Sequence, residues 1–202
     1  MKIAVLRDRH AHEKRVAATA ETVKKFIGLG ADVTVETGAG DASRLADSVF
    51  ADAGATIAPD AAAAVAGADL ILSVQRPDPQ ALAGLKPGAV AIGLFAPYGE
   101  RENLDALAKS GAALMAMEFV PRISRAQAMD ALSSQANLAG YKAVIDAAAA
   151  YGRAMPMMMT AAGTVAPARV LVFGAGVAGL QAIATARRLG AIVSAISAAC
   201  LA

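Results

Sequence analysis

Three closely spaced glycines follow a short apolar run in the last fifth of the chain. Gly174, Gly176 and Gly179 have the spacing G-x-G-x-x-G, and the apolar run 170–173 precedes them directly. Because glycine lacks a Cβ, this spacing permits a tight turn and lets the backbone approach a pyrophosphate. The following segment, 180–189, has a helix-forming composition, and the amino end of a helix attracts anions. Strand, glycine turn and helix in this order are typical of a dinucleotide-binding unit.

A second group of polar residues is predicted to share one face of a long helix over 124–151. The group consists of Gln127, Asp130, Ser134 and Asn137, at intervals of three, four and three residues. Ser133 lies at the edge of this stripe, and Arg122 lies in the loop before the helix. A solvated helix face would show similar spacing. The stripe, however, is rich in amides and hydroxyls rather than in Glu and Lys. It also borders the cleft expected between two α/β domains, where ligands usually bind.

The elements that position these residues alternate between strand and helix from residue 2 to residue 117. The predicted strands cover 2–6, 32–36, 69–74, 89–95 and 112–117. Thr19 is predicted to cap the first helix, and Gly30 to end it. This alternation predicts right-handed βαβ units and a largely parallel sheet. The predicted fold class is α/β, with two doubly wound, parallel-sheet, Rossmann-like domains, the second incomplete. The predicted segments are an N-terminal α/β domain over 1–123, a long bridging helix over 124–152, a connector over 153–167 and the start of a second Rossmann domain over 168–202. We expect the methionines 157–159 to pack around the connector.

Composition excludes several classes of function. The net charge is +2 and aromatic residues make up 4%, so a nucleic-acid partner is not expected. Cys200 is the single cysteine, which rules out an internal disulfide and favours a cytoplasmic setting. The two histidines lack a metal-ligand spacing, so no metal site is expected. No stretch reaches the ~20 uninterrupted apolar residues of a transmembrane helix.

Two segments carry a resemblance to a known family. They read VPRISRAQAMDALSSQANLAGYKAVIDAA over 120–148 and PMMMTAAGTVAPARVLVFGAGVAGLQAIATA over 156–186. Through these segments, the chain resembles the N-terminal, NAD(H)-binding component of the alpha subunit of proton-translocating NAD(P) transhydrogenase. The resemblance covers nearly the whole chain and is far more specific than the three glycines alone.

The resemblance implies a role for each part of the site. The residues implied to hold the nicotinamide ring and its ribose are Arg122, Ile123, Gln127, Asp130 and Ser133. Among them, Arg122, Gln127, Asp130 and Ser133 would be the catalytic residues, because they aim the ring. The residues implied to hold the pyrophosphate and adenosine are Gly174, Gly176, Val177 and Gly179. The implied reaction is hydride transfer between NADH and NADP⁺ bound on a partner component, where positioning lowers the barrier.

The resemblance also implies partners and a location. These are an NADP-binding component, a membrane-spanning component that passes protons, and a second copy of the chain in a homodimer. The protein would be cytoplasmic and peripheral to the inner face of the cell membrane.

Alanine dehydrogenase has the same architecture and is the nearest alternative. Its substrate site uses an arginine, a lysine and a histidine in the first domain. Arg15 matches the arginine, but Gln75 stands at the lysine position and no histidine occurs in 94–98. Deamination would therefore lack its proton-handling groups. We expect Arg15 to pair with a carboxylate instead.

The end of the chain departs from the family pattern. The acidic residue that usually contacts the adenosine ribose would fall at Ser197, and the last acidic residue of the chain is Asp146. The ending SAACLA does not resemble the family. We interpret the chain as a truncated or frame-altered product, or one completed by another chain. We therefore expect weak NADH binding and an exposed apolar edge on the second sheet. A non-catalytic remnant remains the alternative function.

Overall fold

The chain forms two compact units in a computed structural model that describes residues 1–99 and 101–197. The units divide after Pro121. The predicted limits of the domains and connector remain predictions. Cys200 and most of the ending SAACLA lie outside the described residues.

The first unit is built on a six-stranded parallel sheet with the order β3-β2-β1-β4-β5-β6. Its strands are β1 (Lys2–Val5), β2 (Asp32–Glu36), β3 (Thr56–Ala58), β4 (Leu70–Gln75), β5 (Val90–Leu94) and β6 (Ala113–Ala116). In β1, Ile3 pairs with Val33 on one side and with Leu70 on the other. This order is that of a doubly wound Rossmann sheet, so the predicted fold class is confirmed for this unit.

Short helices connect these strands. They are α1 (Ala20–Gly28), α2 (Asp47–Asp52), α3 (Ala61–Val65) and α4 (Arg101–Ala108), with 3-10 turns at Asp41–Ser43, Pro79–Leu82 and Met117–Phe119. As predicted, Thr19 caps α1, because its hydroxyl accepts a hydrogen bond from the Thr22 backbone N–H at 3.3 Å. Strand β3 was not predicted from the sequence, since three residues are too few to show an alternating pattern.

Both faces of the first sheet are buried. Ala4 and Leu6 belong to a core on one face, which also contains Phe95. Ile3 belongs to a second core on the other face, together with Phe50 of α2. Burial on both faces is what a parallel sheet requires when helices cover each side.

The second unit begins with a 3-10 segment, Ser124–Met129, followed by α5 (Ala131–Tyr151). The prediction of one helix over 124–151 is therefore wrong at its start. Asp130 lies between the two segments as the N-cap of α5. The predicted stripe is corrected as well, because Gln127 precedes the helix instead of sharing a face with Ser134 and Asn137.

The segment after α5 forms an antiparallel hairpin of β7 (Met158–Thr160) and β8 (Gly163–Val165). The methionines 157–159 are 50–72% exposed, so the expectation that they pack around a connector is wrong. Strands of three residues present too little surface to bury side chains of this size against each other.

A second parallel sheet consists of β9 (Arg169–Phe173) and β10 (Ile192–Ile196), joined by α6 (Val177–Arg188). Leu171 and Phe173 of β9 are 50% and 78% exposed. These two side chains lie on one face of the sheet, and the exposed apolar edge predicted from the sequence stays a prediction. Within the described part of the chain, no helix is long and apolar enough to cross a membrane.

Candidate functional site

Asp130 organises the amino end of α5. Its carboxylate accepts hydrogen bonds from the Ser133 backbone N–H at 2.9 Å and from the Ser133 hydroxyl at 2.6 Å. Its backbone carbonyl accepts a further bond from the Ser134 hydroxyl at 3.1 Å. These bonds satisfy donors that a helix end otherwise leaves unpaired. As a result, the Asp130 and Ser133 side chains are held together in one orientation.

The charge of Asp130 is stabilised by the same contacts. The hydrogen bond from the Ser133 hydroxyl is the largest cause lowering the pKa of Asp130, and the nearby guanidinium of Arg122 contributes in the same direction. Asp130 is therefore an acceptor at neutral pH, while Arg122 supplies donors beside it. Together they offer both hydrogen-bond donors and acceptors at the amino end of α5.

The glycine turn between β9 and α6 depends on two of its three glycines for its shape, Gly174 for its backbone conformation and Gly179 for close packing. Gly174 has a φ of 96°, which favours glycine, and its N–H donates to the Ile196 carbonyl at 2.7 Å. A methyl group on Gly179 would overlap the Gly174 carbonyl oxygen. Gly176 has an ordinary φ of −75°, and a Cβ placed there, like one on Gly174, meets no atom of the described residues within 4 Å. The turn thus needs Gly174 and Gly179 for its own shape, and Gly176 leaves open space.

Helix α6 begins at Val177 without a side-chain cap. Gly176 is its N-cap residue and offers no side chain to accept the first backbone N–H groups. Unpaired N–H groups and the helix dipole together attract an anion at such an end.

Gly140 brings α5 and α6 into close contact. A methyl group on Gly140 would overlap the backbone of Ala178 in the first turn of α6. Glycine in a helix interior costs ~0.5–1 kcal/mol relative to alanine, and here it allows the two helices to touch. This contact places the amino end of α6 beside α5.

The result is a recess of about 450 Å³ within the second unit. The predicted site residues that line it are Arg122, Ser133, Gly174, Gly176, Val177 and Gly179. Its volume lies within the ~300–1,000 Å³ of small-molecule sites. Asp130 does not line the recess itself but is bonded to Ser133, which does.

Two predicted residues are not brought to the recess. Ile123 and Gln127 are exposed, and neither is among the residues lining it. Four residues that were not predicted from the sequence also line it, namely Leu132, Ala136, Phe173 and Ala178. Phe173 directly precedes the glycine turn, so its position in the sequence could have indicated it. Ala136 could not be found this way, because only the crossing of α5 and α6 places it there.

Comparison with known protein families shows which family the chain belongs to. Residues 4–139, more than half of the chain, match the family described as "Alanine dehydrogenase/PNT, N-terminal domain". Residues 143–199 match the corresponding C-terminal domain. The chain belongs to the alanine dehydrogenase/PNT family.

Within this family, the similarity is greater to transhydrogenases than to alanine dehydrogenases. The NAD(P) transhydrogenase subunit alpha (first segment) of Rhodospirillum rubrum is 55% identical over 200 residues, which cover 96% of this chain and 52% of that protein. Alanine dehydrogenase of Halomonas elongata is 33% identical over 197 residues, covering 96% of this chain and 53% of that protein. The resemblance to the transhydrogenase alpha subunit is confirmed, and the chain spans about half the length of these curated relatives.

A solved structure gives the same result. The transhydrogenase of Sinorhizobium meliloti superposes with a TM-score of 0.92 at 55% identity, covering 96% of this chain and 58% of that one.

Arg15 and Gln75, which stand where the arginine and the lysine of an alanine dehydrogenase substrate site were expected, both bond to Glu13 in the first unit. Arg15 donates to both carboxylate oxygens of Glu13, at 2.7 and 2.6 Å, and Gln75 donates to one of them at 2.8 Å. The hydrogen bond from Arg15 is the largest cause lowering the pKa of Glu13 to about 2. The expectation that Arg15 pairs with a carboxylate is confirmed, so its guanidinium is partly neutralised within the chain.

Proposed function

We propose that this chain is the NAD(H)-binding component of a proton-translocating NAD(P) transhydrogenase. The supporting observation is the recess that Arg122 and Ser133 share with the glycine turn before α6. Groups suited to a ribose and a carboxamide thus lie within reach of groups suited to a pyrophosphate. The similarity to proteins named as transhydrogenase alpha subunits supports the same function.

The glycine turn fits the pyrophosphate of NAD(H). Open space beside Gly176 permits close approach to the backbone, and the first turn of α6 has no side-chain cap competing for its N–H groups. Val177 contributes one of these N–H groups, and Gly179 keeps the helix close to β9. Backbone N–H groups and open space are the features that bind the phosphate oxygens, and this binding needs no side-chain cation.

Arg122, Asp130 and Ser133 fit a positioning role. NAD(H) itself supplies the hydride, so the chain has to hold the nicotinamide and ribose and no side chain needs to exchange a proton. Arg122 donates, and the ionised Asp130, fixed by Ser133, accepts. We further propose that the exposed Gln127 and Ile123 contact the outer side of the bound nicotinamide ring.

The proposed partners follow from this role. An NADP-binding component would face the ring, a membrane-spanning component would carry protons, and two copies of the chain would form a dimer. The chain would be cytoplasmic and would reach the inner face of the membrane through these subunits.

The nucleotide site is tested by titrating the chain with NADH and observing nicotinamide fluorescence. The chain contains no tryptophan, so protein emission does not interfere. We expect weak binding, with a dissociation constant above the micromolar range, that Gly176→Ala weakens by ~10-fold or more. Gly28→Ala is the matched control, because a methyl group on Gly28 would also meet no atom within 4 Å and Gly28 lies in the first unit. Equal NADH affinity in the wild type and Gly176→Ala would refute the proposed site, and micromolar affinity would refute the expected weakness.

Hydride transfer is tested by adding the NADP-binding component of a transhydrogenase and measuring exchange between NADH and a nicotinamide analogue of NADP⁺. We expect Arg122→Ala to lower the rate up to ~100-fold, because a small displacement of the ring has a large effect. Arg101→Ala is the control, since Arg101 is 92% exposed in the first unit. NADH binding without any hydride exchange would favour the non-catalytic remnant instead.

A further inference from the structure

A separate recess, here called the first-unit recess, lies at the carboxyl end of the first sheet. Its volume is about 320 Å³, and its lining includes Arg7, which follows β1, and Pro77, which follows β4. The connections after these two strands leave the sheet towards opposite faces, because Val23 of α1 belongs to one buried core and Leu82 of the turn after β4 belongs to the other. Where neighbouring connections part in this way, a crevice opens in which α/β proteins bind ligands.

Ser73 brings an unsatisfied polar atom to the first-unit recess. The residue lines this recess and is 7% exposed, and its Oγ has no hydrogen-bond partner among the residues that the structure describes. A Cβ on Gly93, in the adjacent strand β5, would lie 2.7 Å from the Ser73 carbonyl oxygen and 2.9 Å from Oγ, so glycine leaves room for the hydroxyl. Buried polar atoms rarely lack a partner, because an unmade hydrogen bond costs free energy. A molecule held in the recess would supply the missing partner.

The guanidinium of Arg7 is available to a ligand at the same recess. Asp8 and Asp78 also line it, and their carboxylates accept hydrogen bonds from backbone N–H groups at 2.8–2.9 Å. Arg9 is paired with the buried carboxylate of Glu36. Within residues 1–99 and 101–197, the exposed guanidinium of Arg7 makes no hydrogen bond or ion pair. An unpaired guanidinium favours an anionic ligand, because its N–H groups match the oxygens of a carboxylate or a phosphate.

We propose that the first-unit recess binds a small organic anion, with the anionic group at Arg7 and a polar group of the ligand at the Ser73 hydroxyl. Leu6 and Pro77 offer an apolar surface to the rest of such a molecule. This recess is distinct from the group that bonds to Glu13, because Glu13 does not line it. All of its lining residues lie in the first unit, so the proposal is independent of the nucleotide site in the second unit.

The test follows the backbone amides of the ¹⁵N-labelled 202-residue chain by NMR, at low ionic strength, during titration with inorganic phosphate or with acetate. NMR locates the bound anion, which is necessary because the amino end of α6 can also attract one. We expect the amide signals of Arg7, Ser73 and Gln75 to shift and to saturate, with a dissociation constant of ~1–20 mM for the tighter anion. Tighter binding of phosphate identifies the ligand as a phosphate monoester, and tighter binding of acetate identifies it as a carboxylate.

Two variants test the residues that carry the proposal. Arg7→Gln should weaken binding of the tighter anion by ~5-fold or more, because a charge-assisted hydrogen bond is lost. Lys24→Gln is the matched control, since Lys24 is exposed on α1 and does not line the recess, and it should keep the wild-type affinity. Ser73→Ala should weaken binding by ~3-fold or more and should raise the urea midpoint of the empty chain, because it removes an unpartnered buried hydroxyl. A purely structural role for Ser73 would leave the affinity unchanged.

Several results would overturn the proposal. One is that neither anion shifts these amides at concentrations up to ~50 mM, and another is that glycerol, a small neutral molecule, shifts them as much. Equal weakening by Lys24→Gln and Arg7→Gln would show a general effect of charge, and a folded Ser73→Ala chain with wild-type affinity would exclude the hydroxyl. None of these results bears on the nucleotide site, which NADH fluorescence and Gly176→Ala test separately.

Discussion

The two parallel sheets of this chain differ in how their faces are covered. In the first sheet, the neighbouring β1 residues Ile3 and Ala4 point to opposite faces, and both are 0% exposed. In the second sheet, Val170 and Val172 are half-buried while Leu171 and Phe173 between and after them are exposed. Because side chains alternate along a strand, the first sheet is covered on two faces and the second mainly on one.

Stability and the candidate chemistry therefore reside in different parts of the chain. The first unit has two buried cores, and its charged Glu13–Arg15 pair is internally satisfied. The second unit holds the recess at the glycine turn, with an exposed Phe173 at its margin. Matched substitutions in the two units should accordingly have unequal effects.

The largest effect is expected from truncating a buried phenylalanine. Phe50 is 0% exposed in the first unit, so Phe50→Ala should lower the free energy of unfolding by ~3–5 kcal/mol. Phe173→Ala is the matched variant in the second unit, and with 78% exposure it should change stability by less than ~0.5 kcal/mol. Urea unfolding followed by circular dichroism measures both. Equal losses from the two variants would contradict the difference in burial between the sheets.

The next effect concerns the close contact of α5 and α6. Gly140→Ala should destabilise the second unit by ~1–3 kcal/mol, because the added methyl group overlaps the Ala178 backbone. Gly28→Ala, in the open surroundings of α1, should be neutral or slightly stabilising. Hydrogen exchange measured by mass spectrometry should show faster exchange in α5 and α6 for Gly140→Ala alone. Unchanged exchange there would contradict the packing of the two helices.

A smaller effect on stability is expected from the Glu13–Arg15 pair, and this effect should depend on pH. The pKa of Glu13 is lowered to about 2, so its stabilising contribution is present above its ordinary pKa of 4.5 and is lost as the pH falls towards 2. Glu13→Gln should cost ~1–2 kcal/mol at neutral pH, after allowance for solvent screening of the pair. The difference from wild type should disappear near pH 2.

The control for this titration is Glu21→Gln. Glu21 pairs with Lys25 on the exposed surface of α1, so the pH profile of stability should stay that of the wild type. Unfolding curves between pH 7 and pH 2 measure each profile. A Glu13→Gln chain whose profile matches the wild type would show that the pair contributes nothing to the first unit.

The smallest effect on stability is expected from substitutions at the amino ends of two helices, α1 and α6. Thr19 caps α1, so Thr19→Ala should cost ~0.5–1 kcal/mol in thermal or urea unfolding. Gly176 is the N-cap residue of α6, and glycine and threonine are about equally favourable at an N-cap, so Gly176→Ala should cost no more than that while weakening NADH binding. A larger loss of stability from Gly176→Ala than from Thr19→Ala would show that the glycine serves the fold and not the nucleotide.

Much of the architecture was predictable because its signals are local. The alternating apolar segments predicted five of the six strands of the first sheet, and Thr19 and Gly30 marked the limits of α1. The start of α5 was predicted wrongly, although a signal existed. Asp130 followed three residues later by Ser133 allows an N-cap bond, and that bond interrupted the helical period assumed across 124–151.

The candidate site was predictable only in part. The G-x-G-x-x-G spacing identified the turn, and Gly179 fits its packing role. The positions of Leu132, Ala136 and Ala178 in the recess depend on how α5 crosses α6. The exposure of the methionines 157–159 was likewise missed, because apolar composition indicates a preference for burial and does not supply a surface to pack against.

Local sequence specifies the class of fold, the glycine turn and the cap of α1. These features depend on residues within one turn or one strand, where backbone geometry and hydrogen bonding act over a few positions. Three-dimensional packing specifies which polar residues meet in the recess and which face of the second sheet stays exposed. It also specifies that Arg15 pairs with Glu13 and that Gln75 bonds to the same carboxylate. Those outcomes depend on packing between elements far apart in the chain, which local preferences do not specify.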